Sequence, residues 1–316
     1  MTRRTASEAV LVMAVAGCLW GSSFALVEAI SGTNPLLVTG LRFVLYGLIS
    51  AGVLLAVGWR GIDWRAAFFH AATGYVGMYL AEVVAIHLAG PGPAIAVIGT
   101  VPVVYAVIGS RHDQISTPQL VPSVSILVIA IILINADAFA SGDESTVGIV
   151  VGMAVAAVGV ASWCVYALDN TDHLLRNPEV TAAGWSSAVG VAAGVLSLPL
   201  LIAGSFGSAD SAGRLGAVVI FLAIGPSWIA TMLWNRASLR VPRAVAGQLI
   251  VFEPMSAFVL VHLLAGRGPS PVEFVGEGLL VVGAALALRR LGSGRVERGD
   301  QVVGPGQERI AGLVAG

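Results

Sequence analysis

The sequence predicts an all-α membrane protein of ten transmembrane helices, arranged as two inverted five-helix repeats, and three observations carry that expectation. The 316-residue chain is 57% hydrophobic and 11% charged, with a mean hydropathy of +0.88, whereas soluble domains carry roughly a quarter charged residues. Its apolar sequence falls into ten runs, each near the roughly 20 residues that span a bilayer core. Two of these runs, half a chain apart, contain a proline near their middle: Gly99-Thr100-Val101-Pro102 and Val251-Phe252-Glu253-Pro254. Proline removes a helical hydrogen bond and clashes with the carbonyl four residues back, so both runs are expected to kink or unwind there. Broken hydrophobic helices at matching positions of two halves point to a binding site between repeats.

The elements follow in order, with residues 1–8 as a cytoplasmic N-terminus. The first run, 9–28, continues past Cys18 to Ile30, longer than the roughly 7–15 apolar residues of a signal, and reads as a retained helix. Asn34-Pro35 opens the second, 35–57, which closes at Trp59-Arg60-Gly61. The third, 66–88, is parted by Pro91-Gly92-Pro93 from the fourth, 93–110, which carries Pro102 and stops at Arg111-His112-Asp113. The fifth, 120–136, completes a first repeat over 9–136. Asp143-Glu144 precedes the sixth run, 147–168, and Asn177-Pro178 the seventh, 180–203. The eighth, 215–236, is followed after Val241-Pro242 by the ninth, 243–265, which carries Pro254; Gly268-Pro269 opens the tenth, 271–290, closing a second repeat over 147–290. All these breaks are turn-forming sequences. The Gly-rich, charged segment 291–316 reads as a disordered cytoplasmic tail.

Arginine placement sets the expected orientation, because short cytoplasmic loops carry excess Lys and Arg. With the N-terminus inside, one side holds Arg3, Arg4, Arg60, Arg65, Arg111, Arg176, Arg236, Arg240, Arg243 and the tail arginines, against Arg214 and Arg267 on the other. Both termini are therefore expected in the cytoplasm, with the chain a multi-pass protein of the cell membrane. Net charge is −1 and there is no lysine, so no basic surface suggests nucleic acid and no Walker-type phosphate loop exists. Cys18 and Cys164 have neither disulfide-framework nor metal-site spacing, and no cofactor or metal is expected.

Ionisable groups inside spans cost roughly 2.5–3.5 kcal/mol each at a helix centre on insertion scales and tend to face cavities or partners. Arg42, Glu82 and Glu277 fall about 9–10 Å below the same membrane surface at 1.5 Å per residue. Arg42 is expected to be neutralised by Glu82 or Glu277, either as part of a cavity or as a static ion pair. Glu253 falls near the midplane, beside the break at Pro254. A carboxyl taken out of water favours its protonated form, which suits reversible protonation; Glu253 is a candidate for a coupling proton or a cationic group, with capping of backbone amides freed by the proline as the alternative. Tyr75, Tyr79 and Glu82 share a helical face. Trp20, Trp163, Tyr166 and Trp234 offer further walls for stacking or cation–π contacts, or simply pack. His87 and His262 read as interfacial.

The halves also resemble one another at Gly74-Tyr75-Val76-Gly77 and Gly225-Pro226-Ser227-Trp228, and at Trp20 and Trp163. Trp20-Gly21-Ser22-Ser23-Phe24, Arg42-Phe43, the Pro102 helix, Leu233-Trp234-Asn235-Arg236-Ala237, Glu253-Pro254 and the last run from Gly276 to Gly283 together resemble the EamA-type transporters of the drug/metabolite transporter superfamily. The turns Gly109-Ser110-Arg111-His112 and Gly266-Arg267-Gly268, together with Glu82 and Glu277, depart from the family pattern. The resemblance implies a secondary transporter, an exporter of a small metabolite, amino acid or amphipathic drug-like compound, working by alternating access as a monomer or homodimer. It also implies a solute and ion pathway that includes Ser23. Proton coupling, import, and a membrane-embedded enzyme such as a lipid transferase or intramembrane hydrolase remain alternatives.

Overall fold

The computed structural model describes residues 3–101, 104–105, 121–122, 125–126, 128–130, 132–133, 145–240, 249–283 and 285–286, and these form helices, turns and short connections. Helix α1 spans Arg3–Glu28. Helix α2, Pro35–Val57, opens on Asn34, whose side chain accepts from the Leu36 amide, with Pro35 in the first turn, where a missing N–H costs nothing. It ends at Gly58 at φ 87°. Helix α3, Trp64–Ala89, starts at the Asp63 cap and passes through a π-helical segment, Ala71–Gly77. Helix α4 is Pro91–Ile98. Helix α5, Thr146–Arg176, is capped by Ser145, and α6, Ala182–Gly204, by Thr181. Helix α7, Ala212–Ser238, carries a second π-helical segment, Ala223–Ile229. Helix α8 is Phe252–Ala265, and α9 occupies 271–283.

Six of these, α1 to α3 and α5 to α7, are long and apolar enough to cross a membrane. The fourth expected run is described only to Val101 and at 104–105, so Pro102 lies outside the described residues. Of the fifth, positions 121–122, 125–126, 128–130 and 132–133 are described and helical. Residues 241–248 and the tail 291–316 also lie outside.

Both expected breaks fall just ahead of the prolines. Helix α4 stops at Ile98, four residues before Pro102, and Gly99 and Thr100 form a turn. Helix α8 starts at Phe252 after a turn at Ile250–Val251. The carbonyl that Pro254 cannot satisfy belongs to Ile250, and it accepts instead from the Glu253 amide at 2.9 Å.

Packing follows a regular scheme. Helices α2 and α6 lie along each other through a seam of small residues; a Cβ on Gly47 would come within 2.9 Å of the Gly194 backbone, and one on Gly40 within 2.5 Å of Leu201. Helix α1 packs on α7 and α8, while α5 packs on α3 and α4. Helix α6 touches α3, and α2 touches α7. Every one of these pairings maps onto another, or onto itself, when α1 to α4 are exchanged with α5 to α8. The two π-helical segments obey the same exchange: their starts, Ala71 and Ala223, are 152 residues apart, as are Pro102 and Pro254.

Candidate functional site

The two π-helical segments face a shared polar cavity, and local chemistry explains each. In α7, Pro226 has no N–H for the Leu222 carbonyl four residues back. The Ser227 hydroxyl donates to that carbonyl at 2.8 Å instead. The Pro226 carbonyl in turn accepts from the Trp20 indole N–H at 3.0 Å. In α3, Gly74 lets the chain pass beneath the ring of Tyr166, where a Cβ would overlap it. Wider helical turns of this kind often occur at functional sites.

Arg42 stands at the centre and is only 5% exposed. Its Nε donates to Ser227 Oγ at 2.8 Å and Nη1 to Ser23 Oγ at 3.5 Å. The guanidinium lies 3.8 Å from the Tyr79 ring centroid and 5.3 Å from that of Phe43, a cation–π seat. No carboxylate among the described residues is within ion-pair distance of it. Neither expected ion pair forms: Arg42 is held by two hydroxyls, supplied by α1 and α7, and by a ring, while Glu82 lines the same cavity without direct contact.

Glu82 and Glu253 line the same cavity as Arg42, together with Trp20, Ser23, Tyr75, Tyr79, Trp163, Tyr166, Ser227 and Thr231. Glu82 is 6% exposed and its Oε1 has no hydrogen-bond partner among the described residues; the Tyr79 hydroxyl is in the same position. Glu253 sits in the first turn of α8, where the helix N-terminus favours negative charge, and among the described residues its carboxylate caps no backbone amide. The cavity measures about 60 Å³, against about 300–1,000 Å³ for drug-sized ligand sites. This conformation therefore accommodates water or a small group, not a bulky solute.

Nine of the sequence-derived pathway residues thus meet at one cavity. Trp234 stands behind it, its ring 5.1 Å from that of Trp20. Glu277 is buried but does not line the cavity: α9 packs toward α4, with Leu280 close over Gly99. Of the two histidines read as interfacial, His87 holds the Val83 and Thr33 carbonyls at 2.9 Å each, and His262 holds that of Phe258, with Glu273 3.5 Å from its other nitrogen.

Sequence reasoning missed a second buried polar cluster near the ends of α5 and α7. The Asn170 amide donates to Asn235 Oδ1 at 2.9 Å while its Oδ1 accepts from the Trp185 indole at 2.8 Å. The Asn235 amide donates to Ser186 Oγ at 2.9 Å, and the Tyr46 hydroxyl to the Ser186 carbonyl at 2.6 Å. Tyr46 stacks on Tyr75, whose hydroxyl meets that of Tyr166 at 3.2 Å. On the far side, fully buried His70 bonds Asp169 at 3.0 Å, and Asp169 bonds Arg176 at 3.3 Å. The available signal was the polar character of Asn235 and His70 within apolar runs and of Asn170 just past the end of one.

Fold and site together define a helical integral membrane protein with a charged cavity between its helices. No family model matches the chain. It is similar to the inner membrane protein YtfF of Escherichia coli (strain K12), with 26% identity over 311 residues covering 89% of this chain and 94% of that protein. It also resembles a crystal structure with a TM-score of 0.66 and 23% identity, covering 89% of this chain and 97% of the other; at that identity the likeness is one of fold alone.

Proposed function

We propose that the protein is a secondary transporter that moves a small solute across the cell membrane by alternating access. In this reading the cavity is the solute site, and Glu253 carries a coupling proton or a cationic group of the solute. The observation that carries the reading is the convergence of Arg42, Glu82 and Glu253, from α2, α3 and α8, on one cavity. Isolated intramembrane charges are costly and tend to mark solute or ion pathways. One fixed cation beside two carboxyls leaves an imbalance of one charge when both are ionised, which one proton or one cationic group would cancel. The N–H donors of Arg42 not taken by Ser23 and Ser227, the unpartnered Glu82 Oε1 and the Tyr79 hydroxyl give a solute hydrogen-bond partners, and the surrounding rings give it apolar walls.

Alternating access draws support from the exchange pattern of packing and from the paired π-helical segments, which suit two inverted repeats with both termini in the cytoplasm. The likeness to EamA-type transporters favours export. The test is reconstitution into liposomes with a panel of small metabolites, amino acids and organic cations under an imposed pH gradient. At least one solute is expected to move in a pH-dependent way, and Glu253→Gln to abolish that dependence. Silence across the panel would shift the reading to a membrane-embedded enzyme.

A further inference from the structure

We propose that the Asn170, Trp185, Ser186 and Asn235 lattice is a gate that closes the cavity from the membrane face at which α5 and α7 end, and that it opens as one unit. Its position comes first. Asn170 lies one turn beyond Tyr166 on α5, Asn235 one turn beyond Thr231 on α7, and Tyr166 and Thr231 line the cavity. Trp185 and Ser186 are the fourth and fifth residues of α6, at the end that meets the same face. Directly beside Asn170, Asp169 is 46% exposed. Asn170 and Asn235, 2% and 0% exposed, therefore form a buried layer about one helical turn, roughly 5 Å, beyond the cavity wall toward that face.

Its chemistry makes it an all-or-none device. The Asn170 amide, the Asn235 amide and the Trp185 indole each find their partner inside the lattice, which ties together α5, α6 and α7, and Tyr46 adds α2. Moving any one helix away strands donors and acceptors on the others unless water takes their place, and buried polar networks are costly when half satisfied. The lattice is stable fully paired or fully hydrated, which is what a gate in series with an aqueous cavity requires. Static glue between helices needs no such position between cavity and rim.

The proposal rests on the cavity being an aqueous pathway, and one reporter separates the two ideas. Cys18 and Cys164 are replaced by Ala in the full chain, Met78, which lines the cavity wall on α3, is changed to Cys, and the rate of modification by a membrane-impermeant maleimide is measured from each face in oriented vesicles. With the lattice intact, modification from the lattice face is expected to be slow. Asn170→Ala with Asn235→Ala is expected to raise it at least tenfold from that face alone, and Trp185→Phe, which keeps the ring and removes one donor, at least threefold. Trp185→Phe decides the matter if the alanine pair does not fold. A measurable rate from the lattice face that these variants leave unchanged, with the opposite face reactive, overturns the gate and leaves the transport reading standing, whereas reaction from the opposite face alone in every variant overturns both. No modification from either face in any variant overturns both.

Discussion

At the level of single residues, the site holds a buried cation with hydroxyls and rings, and places two carboxyls on the same cavity. Intramembrane Arg42, Glu82 and Glu253 stand out in the sequence because charge inside an apolar run is rare, and the aromatic face from Tyr75 to Glu82 stands out by its spacing. The partners of Arg42 were not legible. Ser23 and Ser227 are common residues in membrane helices, and only tertiary packing brings them together; the depth argument that paired Arg42 with Glu82 or Glu277 gives a layer but no direction around the helix axis. Arg42→Lys loses the Nε bond to Ser227 and the flat contact with Tyr79, and lysine does not replace an arginine held by a fork and a ring. It is expected to lower solute transport at least tenfold in proteoliposomes while leaving the melting temperature in detergent nearly unchanged.

Single elements show how local backbone chemistry shapes the site. The repeated sequence around Gly74 and Gly225 falls on the two π-helical segments, so the resemblance between halves was visible while its geometry was not, because hydrophobic periodicity does not register a widened turn. Pro226→Ala restores an N–H for the Leu222 carbonyl, frees the Ser227 hydroxyl from it and is expected to move Ser227 off Arg42. The expected result is a loss of transport with equal or greater thermal stability, checked by uptake and melting on the same preparation. In the α2–α6 seam the opposite holds. Gly47→Leu forces two backbones apart where a single Cβ already meets Gly194 at 2.9 Å, so a destabilisation of about 1–3 kcal/mol or more is expected from overpacking, read as a fall in melting temperature.

For the whole molecule, the sequence made the membrane class and most helix boundaries legible, since hydropathy and turn residues mark them directly. The lattice of Asn170 and Asn235 escaped it because amides near span ends read equally well as interfacial. The arginine distribution expects both termini on one side, and reporter fusions at the two ends are expected to give the same cytoplasmic signal. The central claim, that the cavity is reached from both sides of the membrane in turn, is tested most directly by cysteine accessibility at Ser23, which lines the cavity beside Arg42. In a background lacking Cys18 and Cys164, Ser23→Cys is expected to react with an impermeant maleimide added to either face of sealed, oriented vesicles. Reaction from one face only, under every condition, or from neither, contradicts the account.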